Sequence, residues 1–453
     1  MSKMTLAQAA AFCGGHVEEK YANVEFFGAG NDTRVLEPGQ LFVALQGDRD
    51  GHDFIPAALE KGAAAVLCTH ADGDFPAIVV EDTRTALGRI AAGERMRLGC
   101  KVVGVTGSVG KSTTKELIYT VLSSVYNTGK TPANHNNDIG MPMGILALPE
   151  DTQVAVLEMG MNHFGEIAYL SRIARPDVAV IVNIGTMHIE HLGSREGILQ
   201  AKLEILHGLR PDGKVFLNGD DDMLWKSRSN LPREASFFGA ENRQCSLRSS
   251  NIVLESGGIR MSVTDGKESL DITVPLEGRH FVPDILAAVA VGLELGVPGE
   301  KIVQALAGFR TMAGRQEIYE KNGFTIIEDC YNAGPESMAA ALDVLANQKG
   351  RKIAVLGDML ELGPRTQAEH YRIGRLAAER VDYVLAFGPN GPRVIKGCIT
   401  GGMVDGRVRS YTDRDELVRE LKRLARPGDV LLFKGSRGMR MELVLEQFLD
   451  DKR

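Results

Sequence analysis

The chain has 453 residues, 44% of them hydrophobic and 25% charged, with a formal net charge of -7. That length exceeds what one hydrophobic core organises and suggests ~3 domains, and the negative charge argues against nucleic acid or an anionic membrane as a bulk partner. No stretch approaches the ~18 apolar residues of a bilayer span, and the start (Met1 to Cys13) lacks a basic region followed by a cleavable apolar core. Six cysteines (Cys13, Cys68, Cys100, Cys245, Cys330, Cys398) form no C-x-x-C pair. Reduced thiols in a cytoplasmic protein are expected.

Along the chain, short β-branched runs alternate with longer helical patterns, the mark of α/β architecture. The first region has strand-like runs at Leu41–Leu45, Ala64–Cys68 and Ala77–Val80, with a helical pattern over Phe54–Lys61. A helix over Thr83–Leu98 leads to a second region, with runs at Lys101–Val105, Val154–Leu157, Val178–Val182 and Lys214–Leu217. After a joint at Gly308–Arg315, a third region has runs at Lys352–Leu356, Tyr383–Phe387 and Val430–Phe433. Domains are therefore expected at 1–83, 84–312 and 313–453: a smaller N-terminal α/β substrate domain, a central domain with a mostly parallel sheet of the P-loop type, and a doubly wound C-terminal domain.

The buried-strand pattern Lys101–Val105 runs into Thr106-Gly107-Ser108-Val109-Gly110-Lys111-Ser112-Thr113, and a helical pattern follows from Thr114 to about Ser123. Strand, glycine loop and helix are the geometry in which backbone N–H groups and a helix N-terminus cradle a polyphosphate. Gly107 and Gly110 allow close approach, Lys111 supplies a cation to the outer phosphates, and the Ser112 or Thr113 hydroxyl can ligate Mg²⁺. The strict G-x-x-x-x-G-K-[ST] pattern fails because its first glycine falls on Val105.

The form T-G-x-x-G-K-[ST] resembles the signature of the Mur ligase family, and later segments are similar to that family in order. They are Asn134–Pro142, an asparagine-rich loop containing Asn137; Leu157–Gly165, with Glu158 at a strand end; Asn183–His188; and Ala201–Leu206. The resemblance implies that Glu158 and His188 bind metal beside Ser112, and that Lys202 is carbamylated. Asp329–Met338, with Tyr331 and Asn332, resembles the segment of the branch that adds D-alanyl-D-alanine, as do Val355–Gly363 and Phe433–Arg437. The first region, with Thr33 and Arg34 in Asn31–Arg34 and with Gly47–Phe54, resembles a UDP-substrate domain.

Each residue also has an ordinary reading. Glu158 could be a solvated strand end, but carboxyl ends of parallel strands face the ligand crevice. His188 competes with His163 and His191. Lys202 lies in a helix capped by Ser194 and running to about Leu209, on the apolar stripe of Ile198, Ile205 and Leu209. Burial there would lower its pKa and free a neutral amine to react with CO₂, whereas snorkelling would keep it solvated. Arg315 follows the joint and can reach ATP phosphates, or be a surface residue. Asp329 matches the family's ribose contact, and Lys434 and Arg437 are candidates for the dipeptide carboxylate. His280 and Asp284 fall in a segment similar to the family's adenine-binding G-x-H-N-x-x-N. Phe281 and Asp284 replace its two asparagines, so Asp284 either contacts the base or only opens a helix over Ile285–Leu295.

The resemblance implies an ATP-dependent ligase that joins D-alanyl-D-alanine to UDP-N-acetylmuramoyl-tripeptide through an acyl phosphate, with Mg²⁺, a carbamate on Lys202, and a monomeric state. A diaminopimelate- or lysine-adding ligase of the family, a P-loop kinase of small molecules and a nucleotide-switched binding protein are the alternatives.

Overall fold

A computed structural model describes residues 2–132, 134–255 and 257–450. The described residues form four sheets. Strands Lys3–Thr5 and Glu25–Phe27 pair antiparallel, and Ala29–Gly30, Leu41–Val43, Ala65–Cys68 and Ala77–Val79 form a small parallel sheet in that order. The helix Thr83–Leu98 is capped by Asp82, whose side chain accepts from the Thr85 amide. Its buried Ala86, Leu87, Ile90 and Ala91 belong to one apolar cluster shared by the first region and the central sheet.

The central sheet has nine strands, ordered Ser269–Val274, Gly258–Thr264, Leu247–Glu255, Ser236–Gly239, Lys214–Asn218, Val178–Ile181, Lys101–Thr106, Val154–Glu158, Thr128–Lys130. From Leu247–Glu255 to the Thr128–Lys130 edge every pairing is parallel; the other two strands add an antiparallel ribbon. Lys101–Thr106 is flanked by Val154–Glu158 on one side and Val178–Ile181 on the other. The chain leaves Lys101–Thr106 towards the Thr128–Lys130 edge but leaves its neighbour Val178–Ile181 towards Lys214–Asn218, and this reversal opens a crevice at their carboxyl ends. The third sheet is parallel except for its Glu317–Lys321 edge strand. Its order is Glu317–Lys321, Phe324–Asp329, Val430–Lys434, Lys352–Gly357, Tyr383–Phe387, Val408–Tyr411, and Asp329 lies opposite Lys434 at adjoining carboxyl ends.

Three expected helices differ in detail. The one after the phosphate loop begins at Lys111, because Gly110 takes a left-handed φ of 83° and turns the chain directly into it. The one expected to reach Leu209 runs only over Arg195–Leu203 and tightens into a 3₁₀ turn at Glu204–His207. There the Glu204 carboxylate accepts from the Gly165 and Ala168 amides, 2.7 and 3.1 Å away, at the start of a neighbouring helix. The helix expected from Ile285 begins at Val282 and takes Pro283 and Asp284 into its first turn. No helix among the described residues is long and apolar enough to cross a membrane.

Candidate active site

The carboxyl ends of the central and third sheets face each other across a cavity of about 770 Å³. On the central side, Asn183 shapes the phosphate loop. Its Oδ1 accepts from the Ser108 and Val109 amides at 3.0 and 2.9 Å, and its Nδ2 donates to the Val109 carbonyl at 2.9 Å. Lys111 folds back along the loop and donates to the Gly107 and Ser108 carbonyls at 2.9 and 3.3 Å. Burial lowers its pKa, and Arg315 lowers it further against the pull of Glu158. A polyphosphate would give that ammonium the charge it lacks.

Glu158, buried at its strand end, accepts from the Ser112 hydroxyl at 2.7 Å and from the Asn136 side-chain amide at 2.8 Å. Arg315 reaches across from the joint, donating to Ser112 Oγ at 2.9 Å with its guanidinium 3.7 Å from the centre of the Tyr331 ring. The Ser112 hydroxyl and the Glu158 carboxylate are adjoining oxygen donors, the chemistry a hard cation such as Mg²⁺ takes.

From the third sheet, the buried Lys434 ammonium donates to Asp329 at 2.6 Å and to the Asn332 carbonyl at 3.0 Å. Glu336 accepts from Thr186 of the central domain at 2.8 Å. The cavity thus gathers, of the expected residues, Ser108, Val109, Gly110, Lys111, Ser112, Thr113, Glu158, His188, His280, Asp284, Arg315, Asp329, Tyr331, Asn332 and Lys434.

Others stand apart or serve differently. Lys202 is buried, and burial, then the Lys111 charge, lowers its pKa well below the ordinary lysine value, yet it does not line this cavity. His188 is a cavity residue, but its Nδ1 lies 2.7 Å from Glu361 of the third domain, and among the described residues no three His, Cys, Asp or Glu side chains gather for a metal. Asn137 is exposed and its Oδ1 accepts from the Gly140 amide at 2.8 Å, opening the helix Gly140–Leu146; its neighbour Asn136 enters the cavity instead. Arg437 points to solvent and pairs with Glu442. Thr33 and Arg34 sit beyond the first sheet, Arg34 paired with Asp32, away from this cavity.

Asp284 lies beneath the phosphate loop, where its Oδ1 accepts from the Thr114 hydroxyl at 2.8 Å. Burial pushes its carboxyl up to about 8, with the Thr114 bond opposing. The residue opens the helix and packs under the loop.

A protein of Bacillus subtilis named UDP-N-acetylmuramoyl-tripeptide–D-alanyl-D-alanine ligase is 39% identical over 440 residues, 95% of each chain. This chain belongs to the Mur ligase family. Three models of that family match it: the catalytic domain at residues 26–95, the middle domain at 105–292 and the glutamate ligase domain at 314–437. Among solved structures, MurF from Acinetobacter baumannii superposes with a TM-score of 0.90 at 32% identity, covering 99% of both chains. MurF ligase from Thermotoga maritima, solved in complex with ADP, gives 0.81 at 32% identity over 93% of this chain and 97% of that one. The α/β Mur ligase fold expected from the motifs is thereby confirmed.

Proposed function

We infer that the protein is an ATP-dependent ligase that joins D-alanyl-D-alanine to UDP-N-acetylmuramoyl-tripeptide in the synthesis of peptidoglycan precursors. The observation that carries this reading is one cavity lined by both a phosphate loop with its cation-suited oxygens and the Asp329–Ser337 segment of the third domain. A nucleotide and an acceptor can meet there. The names of the full-length relatives supply the substrates. Residues 1–83 would hold the UDP moiety through Thr33 and Arg34, 84–312 the ATP, and 313–453 the dipeptide.

Joining a carboxylate to an amine in water requires activation, here by transfer of the γ-phosphoryl group of ATP, which releases ADP and gives an acyl phosphate; the dipeptide amine attacks its carbonyl carbon, forming the amide and expelling phosphate. Lys111 and Arg315 offset repulsion between the polyphosphate and the incoming carboxylate. Asn183 holds the loop amides ready. Asp329 would meet the ribose, with His280 on the nucleoside side, and Lys434 and Asn332 would meet the dipeptide. Ser112 and Glu158 would hold Mg²⁺, which supplies charge neutralisation at the transferring group. Lys202, with a low pKa and Lys111 nearby, suits carbamylation and would add an anionic oxygen beside that cation; His188 would join after leaving Glu361.

Release of ADP should require the UDP-tripeptide and D-alanyl-D-alanine together. Equal turnover with a UDP-dipeptide and a single diamino acid would move the chain to another branch of the family. A phosphorylated small molecule as the end product would make it a kinase.

A further inference from the structure

Behind the carboxylate that faces the cavity lies a second layer of charge. Lys115 is the fifth residue of the helix Lys111–Ser123, and its side chain has no exposed surface. Its ammonium donates to the Thr131 carbonyl at 2.9 Å and lies 3.7 Å from Glu158 Oε2 and 3.5 Å from Glu116 Oε1. Glu116 is also paired with Lys130, whose ammonium lies 4.0 Å from the centre of the Tyr119 ring. Two ammonium groups therefore share two carboxylates, one of which is Glu158. Helix lysines are ordinarily solvated, and enclosing one is costly unless its charge is matched. Spacing explains the placement: four residues apart on one helix, Lys111 and Lys115 lie on the same face, one towards the loop and one behind Glu158.

The front of the same carboxylate is equally constrained. Arg315 donates to the Ser112 hydroxyl that in turn donates to Glu158. A free divalent cation approaching Glu158 would meet Lys115 from behind and Arg315 and Lys111 from the front. No gathering of three acidic, histidine or cysteine side chains among the described residues opposes them. A nucleotide polyphosphate brings the missing negative charge.

We propose that Lys115 is a positioning residue that fixes and neutralises Glu158, so that the site accepts a divalent cation only together with the polyphosphate of the nucleotide. This rests on the reading of Ser112 and Glu158 as metal donors. The test is Mn²⁺ binding to the full chain, followed by electron paramagnetic resonance with and without ADP. The wild type should bind Mn²⁺ roughly tenfold or more tightly with ADP than alone. Lys115→Met should gain roughly tenfold in affinity for Mn²⁺ alone, while Lys115→Arg keeps the wild-type pattern. Tight Mn²⁺ binding by the wild type without ADP, or a Lys115→Met protein that behaves as wild type, would overturn the proposal. Glu158→Gln separates the two layers: if it binds Mn²⁺ with ADP as well as the wild type does, the metal reading fails first. Should Lys115→Met not fold, Glu116→Gln leaves Glu158 a larger share of the Lys115 charge. ADP-dependent Mn²⁺ binding should then weaken several-fold, and an unchanged value would count against Lys115.

Discussion

Among the described residues, the Asp284 side chain accepts one hydrogen bond, from the Thr114 hydroxyl. An ordinary aspartic carboxyl titrates at ~3.9, whereas here it keeps its proton to about 8. Between those values the folded chain holds one proton more than the unfolded chain. The stability this group contributes is therefore full below the lower value, falls as pH rises across the window and is flat above about 8. Asp284→Asn cannot titrate and still accepts from Thr114, so it should gain stability over the wild type between pH 5 and 8, with a slope of at most ~1.4 kcal/mol per pH unit. Parallel pH dependence of the two proteins in chemical denaturation would show that Asp284 ionises normally. Lys202 tests the carbamate in a similar way. Lys202→Ala should be nearly inactive and partly rescued by acetate, which can fill the vacated ligand position. Full activity of that variant in bicarbonate-free buffer would remove the carbamate.

The phosphate loop and its helix stand or fall with Gly110. A Cβ there would come 2.6 Å from Asp284 Oδ1, and the residue's φ of 83° is one that side chains rarely adopt. Gly110→Ala should cost ~1–3 kcal/mol of stability and weaken ADP binding as the loop shifts. A variant with unchanged melting temperature and ADP affinity would show that the loop tolerates the strain. The loop itself was readable from the sequence because buried parallel strands are short apolar runs and glycines mark the turn between strand and helix. So was the burial of Lys202, since helical spacing put it on the stripe of Ile198 and Ile205, both enclosed. Lys115 was not readable. It is a lysine in a helix with no motif of its own, and only the Glu158 strand end packed beside it makes it exceptional. The choice between Asn136 and Asn137 was equally hidden, because a loop has no period from which facing can be read. The ribbon Leu247–Val274 also escaped, since antiparallel strands alternate apolar and polar residues and leave no continuous apolar run.

At the scale of the molecule, the active site exists only while the third domain is docked on the central one. Polar contacts join them: Thr186 to Glu336 at 2.8 Å, Gln348 to the Glu277 carboxylate at 2.5 Å and His188 to Glu361 at 2.7 Å. Hydrogen bonds of this kind net only ~0.5–1.5 kcal/mol each in water, and a ligand that bridges the two sides shifts the population of the docked arrangement. Arg315 is placed to make the nucleotide that bridge. It lies in the joint between the helix ending at Ala307 and the strand beginning at Glu317, and it already touches Ser112 of the phosphate loop and Tyr331 of the third domain. A bound ADP with Mg²⁺ would draw its guanidinium against phosphate oxygens and hold the joint at residues 308–316 against both sheets. Limited proteolysis should then cut this joint more slowly when Mg²⁺ and ADP are present, by roughly tenfold for ~1.4 kcal/mol of added docking free energy. Arg315→Ala should lose most of that protection. Its ADP affinity should fall less, because the loop amides and Lys111 still hold the phosphates. Equal protection in the wild type and Arg315→Ala would mean that ADP closes the domains through other contacts, and no protection in either would mean that the nucleotide leaves the docking equilibrium where it was.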